Sequence, residues 1–286
     1  MKTDGWTTLV QPEALAPALE TAGVVVVDCR SSLADPEAGE RAYREGHLPG
    51  ARYASLDRDL SGPHAPGRGR HPWPEADDFR RRLSAWGISP HSQVVAYDAG
   101  DGAFAARLWC LLRMLGHPTV AVLDGGWTRW CALGLPVQTH LPSPVSAPAP
   151  YEGRFAASRL LDGGDVQRHL ERGGLLVDAR AAERFRGEVE PLDAVAGHVP
   201  GAVNRPYQAN LEAGRFKPAA QLRVEFGALL GARAGHELVA MCGSGVTACH
   251  HLLAMEHAGL PGASLYTGSW SGWIADPSRP VATGAD

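Results

Sequence analysis

The chain has 286 residues, of which 44% are hydrophobic, so it can bury the cores of one large or two ordinary domains, and two is the expectation. Its 27 basic and 31 acidic residues give a formal net charge of −4, and the scattered arginines argue against a nucleic-acid partner. No stretch approaches the roughly 20 apolar residues of a membrane span, and no signal-like segment follows the first lysine, so we expect a cytoplasmic protein without membrane attachment. Five cysteines are an odd count in a chain too large to need disulfides, which predicts at least one free thiol.

Short apolar strands alternate with helical stretches along the first half of the chain. Runs of β-branched residues at 24–27, 94–96 and 120–123 predict buried strands, and residues 103–116 predict a helix that ends near Gly116. Strands that are apolar on both faces and are separated by helices are typical of a parallel sheet covered on both sides. We therefore predict an α/β fold.

The second half of the chain repeats motifs of the first half in the same order. The copies lie about 145 to 150 residues apart, which indicates a duplicated domain rather than a solenoid. The repeated pairs are VVVVDCR (24–30) and LLVDAR (175–180), EGHLPGA (45–51) and AGHVPGA (196–202), VVAYD (94–98) and LVAMC (238–242), and LDGGWTRW (123–130) and YTGSWSGW (266–273).

A segment rich in proline, serine and alanine separates the two copies. Residues 139–153, THLPSPVSAPAPYEG, contain little that could pack in a core and predict a semi-extended linker. We accordingly predict a first domain over residues 1–138 and a second domain over residues 154–286.

Cys242 stands where a predicted buried strand of the second domain meets a helix, an edge of the sheet at which ligands gather. The glycines beside it allow successive backbone N–H groups to point into one concavity, and such a nest at a helix N-terminus binds anions. A thiolate or a persulfide would be stabilised there. The candidate loop consists of Cys242, Gly243, Ser244, Gly245, Val246 and Thr247.

Three interpretations of Cys242 compete. A buried cysteine without function would need neither the glycines nor the position between strand and helix. A phosphatase loop would place an arginine six positions after the cysteine to bind phosphate oxygens, but that residue is Ala248. A nucleophile that accepts and passes on one sulfur atom needs the nest without that arginine, and we favour this interpretation.

The CGSGVTA loop, the paired GHxPGA motifs and the DGSW-like turns resemble the rhodanese superfamily of sulfurtransferases in its tandem two-domain form, over nearly the whole chain. The loop is most similar to that of the 3-mercaptopyruvate sulfurtransferases, since thiosulfate-preferring members carry basic residues just after the cysteine. The resemblance implies two rhodanese-like domains, each a parallel sheet with helices on both faces. It also implies catalysis in the second domain alone, because Asp98 stands in the first where Cys242 stands in the second.

The same resemblance implies roles for other residues. Arg184, in RFRG, matches the arginine that binds the donor's carboxylate or sulfonate. Mercaptopyruvate enzymes supply a second arginine from a following turn, but Leu192 stands at that place here, which leaves the donor open. Arg186 and Arg205 are candidate replacements.

A proton relay proposed for these enzymes matches Ser244, His71 and Asp59. Such a relay would have the general-base logic of other catalytic triads. In the alternative interpretations, Ser244 caps the following helix and His71 is an ordinary loop histidine.

We therefore expect Cys242 to take a sulfane sulfur from 3-mercaptopyruvate, a small anionic donor, and to hold it as a persulfide. The acceptor would be cyanide, a small thiol or a thioredoxin-like protein, and no cofactor or metal is required. Thiosulfate as the donor is one alternative. A persulfide carrier or regulatory module that does not turn over is another.

Overall fold

The computed structural model describes residues 5–145 and 150–285, and the chain divides into two compact units. The first unit comprises the chain up to Gly62, Pro74–Phe155 and Ala213–Arg215, and the second comprises Pro63–Trp73, Ala156–Glu212 and the chain from Phe216 onward. Residues 146–149 of the predicted linker lie outside the described residues. The predicted domain bounds stay a prediction, because compact units defined by contacts need not coincide with folding domains.

The first unit is built on a parallel five-stranded sheet. Its strands, in the spatial order β1-β5-β4-β2-β3, are β1 (Leu9–Val10), β2 (Val24–Asp28), β3 (Arg52–Tyr53), β4 (Gln93–Tyr97) and β5 (Val120–Leu123). Its helices are α1 (Pro12–Leu15), α2 (Ala38–Glu45), α3 (Ala76–Ala85), α4 (Ala105–Met114) and α5 (Gly126–Ala132). The three β-branched runs thus form β2, β4 and β5, and the predicted helix before Gly116 is α4.

The second unit contains a sheet with the same topology. Its parallel strands, in the order β6-β12-β11-β7-β8, are β6 (Leu160–Leu161), β7 (Leu175–Asp178), β8 (Val203–Asn204), β11 (Leu238–Met241) and β12 (Ser264–Tyr266). Strands β9 (Leu211–Glu212) and β10 (Arg215–Phe216) form a separate two-stranded sheet. The helices are α6 (Gly163–Glu171), α7 (Ala182–Phe185), α8 (Ala219–Leu230), α9 (Ala248–His257) and α10 (Ser269–Trp273).

Burial of both faces of the central strands explains their continuous apolar runs. Every residue of β5 and of β11 is buried, as expected for strands of a covered parallel sheet. Trp130 in the first unit and Trp273 in the second are buried at matching places in the repeat and pack in the two cores. The predicted α/β class with parallel sheets is therefore confirmed. Within residues 5–145 and 150–285, no helix has the length and apolarity needed to cross a membrane.

The repeated D-x-R motif forms the same buried ion pair in each unit. Arg30 Nη2 lies 2.6 Å from Asp28 Oδ2, and Arg180 Nη2 lies 2.6 Å from Asp178 Oδ2. Each arginine also donates to a glycine carbonyl of the GHxPGA motif that follows. A buried charge is tolerated when it is paired and hydrogen-bonded in this way. The D-x-R motif and the GHxPGA motif therefore occur together in each unit, because the arginine of the first binds the carbonyl of the second.

Candidate active site

Cys242 follows the last residue of β11, and its loop leads into α9. Its side chain is almost completely buried, with 2% of the residue exposed. The backbone N–H of Gly245 donates to Cys242 Sγ at 3.1 Å, which a turn with φ of 81° at Gly245 makes possible. Positive φ favours glycine at this position. An N–H aimed at the sulfur is the contact that an anionic thiolate or persulfide accepts.

Helix α10 holds the Cys242 loop in place. The first N–H groups of a helix have no partners within that helix. Here the N–H of Trp270 donates to the Cys242 carbonyl at 3.0 Å, and the N–H of Ser271 donates to the Gly243 carbonyl at 2.9 Å. The Cys242 N–H donates in turn to Ser269 Oγ at 3.1 Å. The loop therefore has a defined backbone that does not depend on its side chains.

The matching loop of the first unit is filled by its own carboxylate. Asp98 accepts hydrogen bonds of 2.9 to 3.1 Å from the backbone N–H groups of Gly100, Gly102, Phe104 and Ala105. Burial raises the pKa of Asp98 to about 6, with a further contribution from Asp101, although the N–H bonds from Ala105, Gly102 and Gly100 oppose this shift. The nest is thus occupied by an internal anion in the place where the second unit has a thiol.

His71 and Ser244 contact each other directly. His71 Nδ1 lies 2.7 Å from Ser244 Oγ, and both side chains are buried. His71 belongs to the Pro63–Trp73 segment of the second unit, so this segment brings it to the Cys242 loop. Ser244 lies before Thr247, the N-cap residue of α9, and its hydroxyl group bonds His71. The structure therefore brings two of the three candidate relay residues together.

Asp59, the third candidate of the relay, lies in the first unit. Its Oδ2 accepts the N–H of Ser55 at 2.8 Å, and its Oδ1 lies 2.7 Å from Arg82 Nε. Burial raises the pKa of Asp59 although both of these contacts oppose the shift. Its assignment to the relay stays a prediction.

Arg184, on α7, is held by two carboxylates. Its Nη2 lies 2.7 Å from Glu190 Oε1 and 3.2 Å from Asp193 Oδ2, and its Nε donates to Glu190 Oε2 at 3.2 Å. Although burial opposes it, the bonds from Arg184 and from two backbone N–H groups lower the pKa of Glu190. One of those N–H groups belongs to Leu192, whose side chain is 44% exposed. Arg184 is therefore a fixed cation, whereas Leu192 contributes only its backbone.

A second arginine, which the sequence analysis did not select, lies beside the catalytic loop. A methyl group built on the Cα of Gly243 would lie 3.2 Å from Arg70 Nη2 and 3.5 Å from Nη1 and Nη2 of Arg184. Both guanidinium groups therefore face the residue that follows Cys242. The basic run GRGR at 67–70, directly before His71, was the available signal.

The replacement arginines suggested by the sequence have other partners. Arg186 is partly buried and binds Glu188 at 2.7 Å, and Arg205 binds Glu225 at 2.7 Å. Val246 and Thr247 directly precede α9, and their carbonyls accept the N–H groups of Cys249 and His250. Their candidate contribution to substrate binding is through the backbone turn.

A family model described as a rhodanese-like domain matches residues 11–133 and again residues 162–276. The chain belongs to the rhodanese family. The two matches confirm the predicted tandem arrangement, and they account for the equivalent sheets and for the equivalent places of Asp98 and Cys242 in this rhodanese.

Named proteins resemble this rhodanese over nearly its whole length. A probable 3-mercaptopyruvate sulfurtransferase of Pseudomonas aeruginosa is 51% identical over 280 residues, covering 96% of this chain and 98% of that protein. Bovine thiosulfate sulfurtransferase is 34% identical over 273 residues, covering 92% and 89%. The crystal structure of a 3-mercaptopyruvate sulfurtransferase from Escherichia coli superposes with a TM-score of 0.80 at 28% identity, covering 93% and 99%. This rhodanese is a sulfurtransferase, an enzyme that needs a sulfur donor and an acceptor.

Proposed function

We propose that the enzyme takes a sulfane sulfur from 3-mercaptopyruvate and carries it as a persulfide on Cys242. The observation on which this rests is the 2.7 Å contact between His71 Nδ1 and Ser244 Oγ within the Cys242 loop. A donor whose sulfur leaves from carbon requires a proton transfer, and this pair is suited to it. The names of the relatives in Pseudomonas aeruginosa and Escherichia coli support the same donor.

In the first half-reaction, the Cys242 thiolate attacks the donor's sulfur and the carbon–sulfur bond breaks. The bonding electrons pass to the donor's CH2 carbon as an enolate, which becomes the methyl group of pyruvate when it is protonated. The proton comes from the donor's thiol, and we assign its transfer to Ser244 and His71, with Asp59 as the supporting carboxylate. The products are pyruvate and a Cys242 persulfide anion, stabilised by the loop N–H of Gly245.

In the second half-reaction, an acceptor attacks the outer sulfur of the persulfide. Cyanide would leave as thiocyanate, and a thiolate would leave as a new persulfide, with the Cys242 thiolate regenerated in both cases. We propose a small thiol or a thioredoxin-like protein as the acceptor in the cell. None of the five cysteines, all of which lie in the described residues, forms a disulfide, which suits a reducing compartment, and the cytoplasm is the location we propose.

The test is kcat/KM for 3-mercaptopyruvate and for thiosulfate, measured side by side with cyanide as acceptor on the wild type and on Cys242→Ser. We expect a preference for mercaptopyruvate of at least about tenfold, and loss of turnover in Cys242→Ser. A preference for thiosulfate would make the donor named for the bovine relative the correct one.

A persulfide carrier without turnover is distinguished by the same assay. Such a protein would load one sulfur per Cys242 and stop, so product would not exceed the enzyme concentration. Phosphatase chemistry remains disfavoured by Ala248, which is buried and has no side-chain donor for phosphate oxygens. Cys242-dependent hydrolysis of an aryl phosphate would contradict that conclusion.

A further inference from the structure

Two guanidinium groups converge beside the residue that follows the nucleophile. Arg70 Nη2 and both terminal nitrogens of Arg184 lie within 3.5 Å of the point where a side chain on Gly243 would begin. Arg70 and Gly243 are far apart in sequence, so packing alone creates this arrangement. The lack of a side chain at Gly243 keeps the space in front of both cations open.

Carboxylates orient the two arginines without using all of their donors. Glu190 and Asp193 bind Nε and Nη2 of Arg184, and Asp193 also binds Nη1 of Arg70. A guanidinium group carries five N–H donors. The hydrogen bonds that these two arginines form with carboxylates in the described residues therefore leave Nη1 of Arg184 and Nη2 of Arg70 for an anion at Gly243.

The backbone of Arg70 is fixed independently of its side chain. Its N–H donates to Ser271 Oγ at 3.0 Å. At the preceding residue, Gly69, φ is +78°, and a methyl group there would come within 2.4 Å of the Gly268 carbonyl oxygen. The segment therefore packs tightly against the turn before α10, the helix that also anchors the Cys242 loop. Helix α10 therefore fixes the backbone of both Arg70 and the Cys242 loop.

We propose that Arg70 supplies the second guanidinium group for the donor's carboxylate, in place of the arginine that is absent at Leu192. This inference rests on the proposed function, because it assumes a donor with a carboxylate. Two guanidinium groups can donate to both oxygens of one carboxylate, and such charge-assisted bonds are the strong ones. Arg70 thereby becomes a residue that decides which donors bind.

The experiment compares Arg70→Ala and Arg70→Lys with the wild type, using 3-mercaptopyruvate and its amide, which lacks the carboxylate. In Arg70→Ala we expect KM for mercaptopyruvate to rise about ten- to a hundredfold, with kcat within about threefold. KM for the amide should not change. Arg70→Lys should recover part of the loss, because lysine keeps the charge without the planar fork. Arg186→Ala, an arginine of the same unit that binds Glu188, is the matched control and should match the wild type.

A binding measurement makes the outcome independent of turnover. In the Cys242→Ser background, calorimetry with 3-mercaptopropionate should give a Kd that rises about tenfold or more when Arg70 is also replaced by alanine. Wild-type KM in Arg70→Ala, an equal rise in KM for the amide, or an unchanged Kd would overturn the role of Arg70. A wild type that lacks Cys242-dependent turnover of mercaptopyruvate would refute the proposed function instead, and the Kd values would still test Arg70.

Discussion

His71 and Ser244 show how a single distance gives chemical meaning to two ordinary residues. A histidine in a loop and a serine near a helix start are common and are usually structural. A contact of 2.7 Å between their polar atoms, with both side chains buried, gives a path for a proton in which little water competes. The proposed nucleophile, Cys242, lies in the same loop as Ser244, and its proposed reaction is one that needs such a path.

We predict that Ser244→Ala and His71→Ala lower kcat for mercaptopyruvate by about a hundredfold, a typical contribution of general acid–base catalysis. Thiosulfate turnover should change by less than about threefold, because cleavage of its sulfur–sulfur bond releases sulfite without protonation of a carbon atom. Steady-state assays with both donors measure how much more turnover is lost with mercaptopyruvate than with thiosulfate. Ser264→Ala, a buried serine of the same unit, is the control.

Equal losses with both donors would assign His71 and Ser244 to packing. The variant Asp59→Asn tests whether Asp59 supports the relay. If Asp59 supports the relay, this variant should show the same donor-selective loss. If its function is only to bind Ser55 and Arg82, stability alone should fall.

At the scale of elements, the turn after β4 and the turn after β11 use the same kind of nest for different purposes. The Asp98 carboxylate fills the nest of the first unit with four backbone N–H bonds. In the second unit, the Gly245 N–H donates to the sulfur atom of Cys242. The same kind of turn thus surrounds a carboxylate in one unit and a thiol in the other.

Asp98→Ala should lower the free energy of unfolding by roughly 3 kcal/mol, because buried N–H groups lose their acceptor. Sulfate should restore part of this loss, since an empty nest of N–H groups binds anions. Chemical denaturation with and without sulfate measures both effects. Asp35→Ala removes an exposed carboxylate that pairs with Arg41, and its free energy of unfolding should stay close to that of the wild type. Wild-type stability of Asp98→Ala without sulfate would contradict the role of the carboxylate.

At the scale of the whole molecule, buried histidines connect stability to pH. His251 is fully buried, its Nε2 lies 2.7 Å from the Arg205 carbonyl oxygen, and its Nδ1 lies 2.9 Å from Asn210 Nδ2. Burial lowers the pKa of His251 from 6.5 to about 3, and the nearby charges of His250 and Arg205 act in the same direction. The folded protein therefore keeps this histidine neutral where the unfolded chain would protonate it.

The direction of the pH dependence follows from the difference in the pKa of His251 between the folded and unfolded states. Above pH 6.5 both states are neutral, and as the pH falls from 6.5 towards 3 only the unfolded state gains a proton, so the free energy of unfolding falls. The loss attributable to His251 should reach about 2 kcal/mol at pH 5. Denaturation between pH 7.5 and 5 should show a shallower pH dependence for His251→Gln, whereas His236→Gln, an exposed histidine of the same unit, should match the wild type. An equal pH dependence of the free energy of unfolding in all three proteins would contradict its assignment to His251.

Much of the architecture was predictable, because its causes are local. The β-branched runs at β2, β4 and β5 place apolar side chains on both faces of their strands. Such strands are typical of a parallel sheet that is covered on both sides. The repeated D-x-R and GHxPGA motifs indicated two copies of one unit, since the arginine of one motif binds the carbonyl of the other. Cys242 was predicted as the nucleophile because a glycine-rich turn between a strand and a helix is suited to an anion, and this assignment stays a prediction.

The geometry of the donor site was less predictable, because its contacts join distant parts of the chain. Arg184 matched a motif, but its carboxylate partners Glu190 and Asp193 could not be paired with it from spacing alone. Arg70 was missed because a basic residue in a glycine-rich run is normally a solvated loop residue. Arg186 and Arg205 were suggested instead on the basis of residue type, and they bind other carboxylates.

The sequence by itself determined the tandem α/β fold, and it predicted Cys242 as the nucleophile of the second copy, with Asp98 at the matching position of the first. These depend on periodicity, on repeats and on backbone turns, which act over a few residues. Only the tertiary structure decided that the Pro63–Trp73 segment belongs with the second unit and that Arg70 and His71 lie at the Cys242 loop. The physical reason is that close packing of Gly69 against the Gly268 turn fixes these positions, and packing between residues so distant in sequence leaves no local pattern.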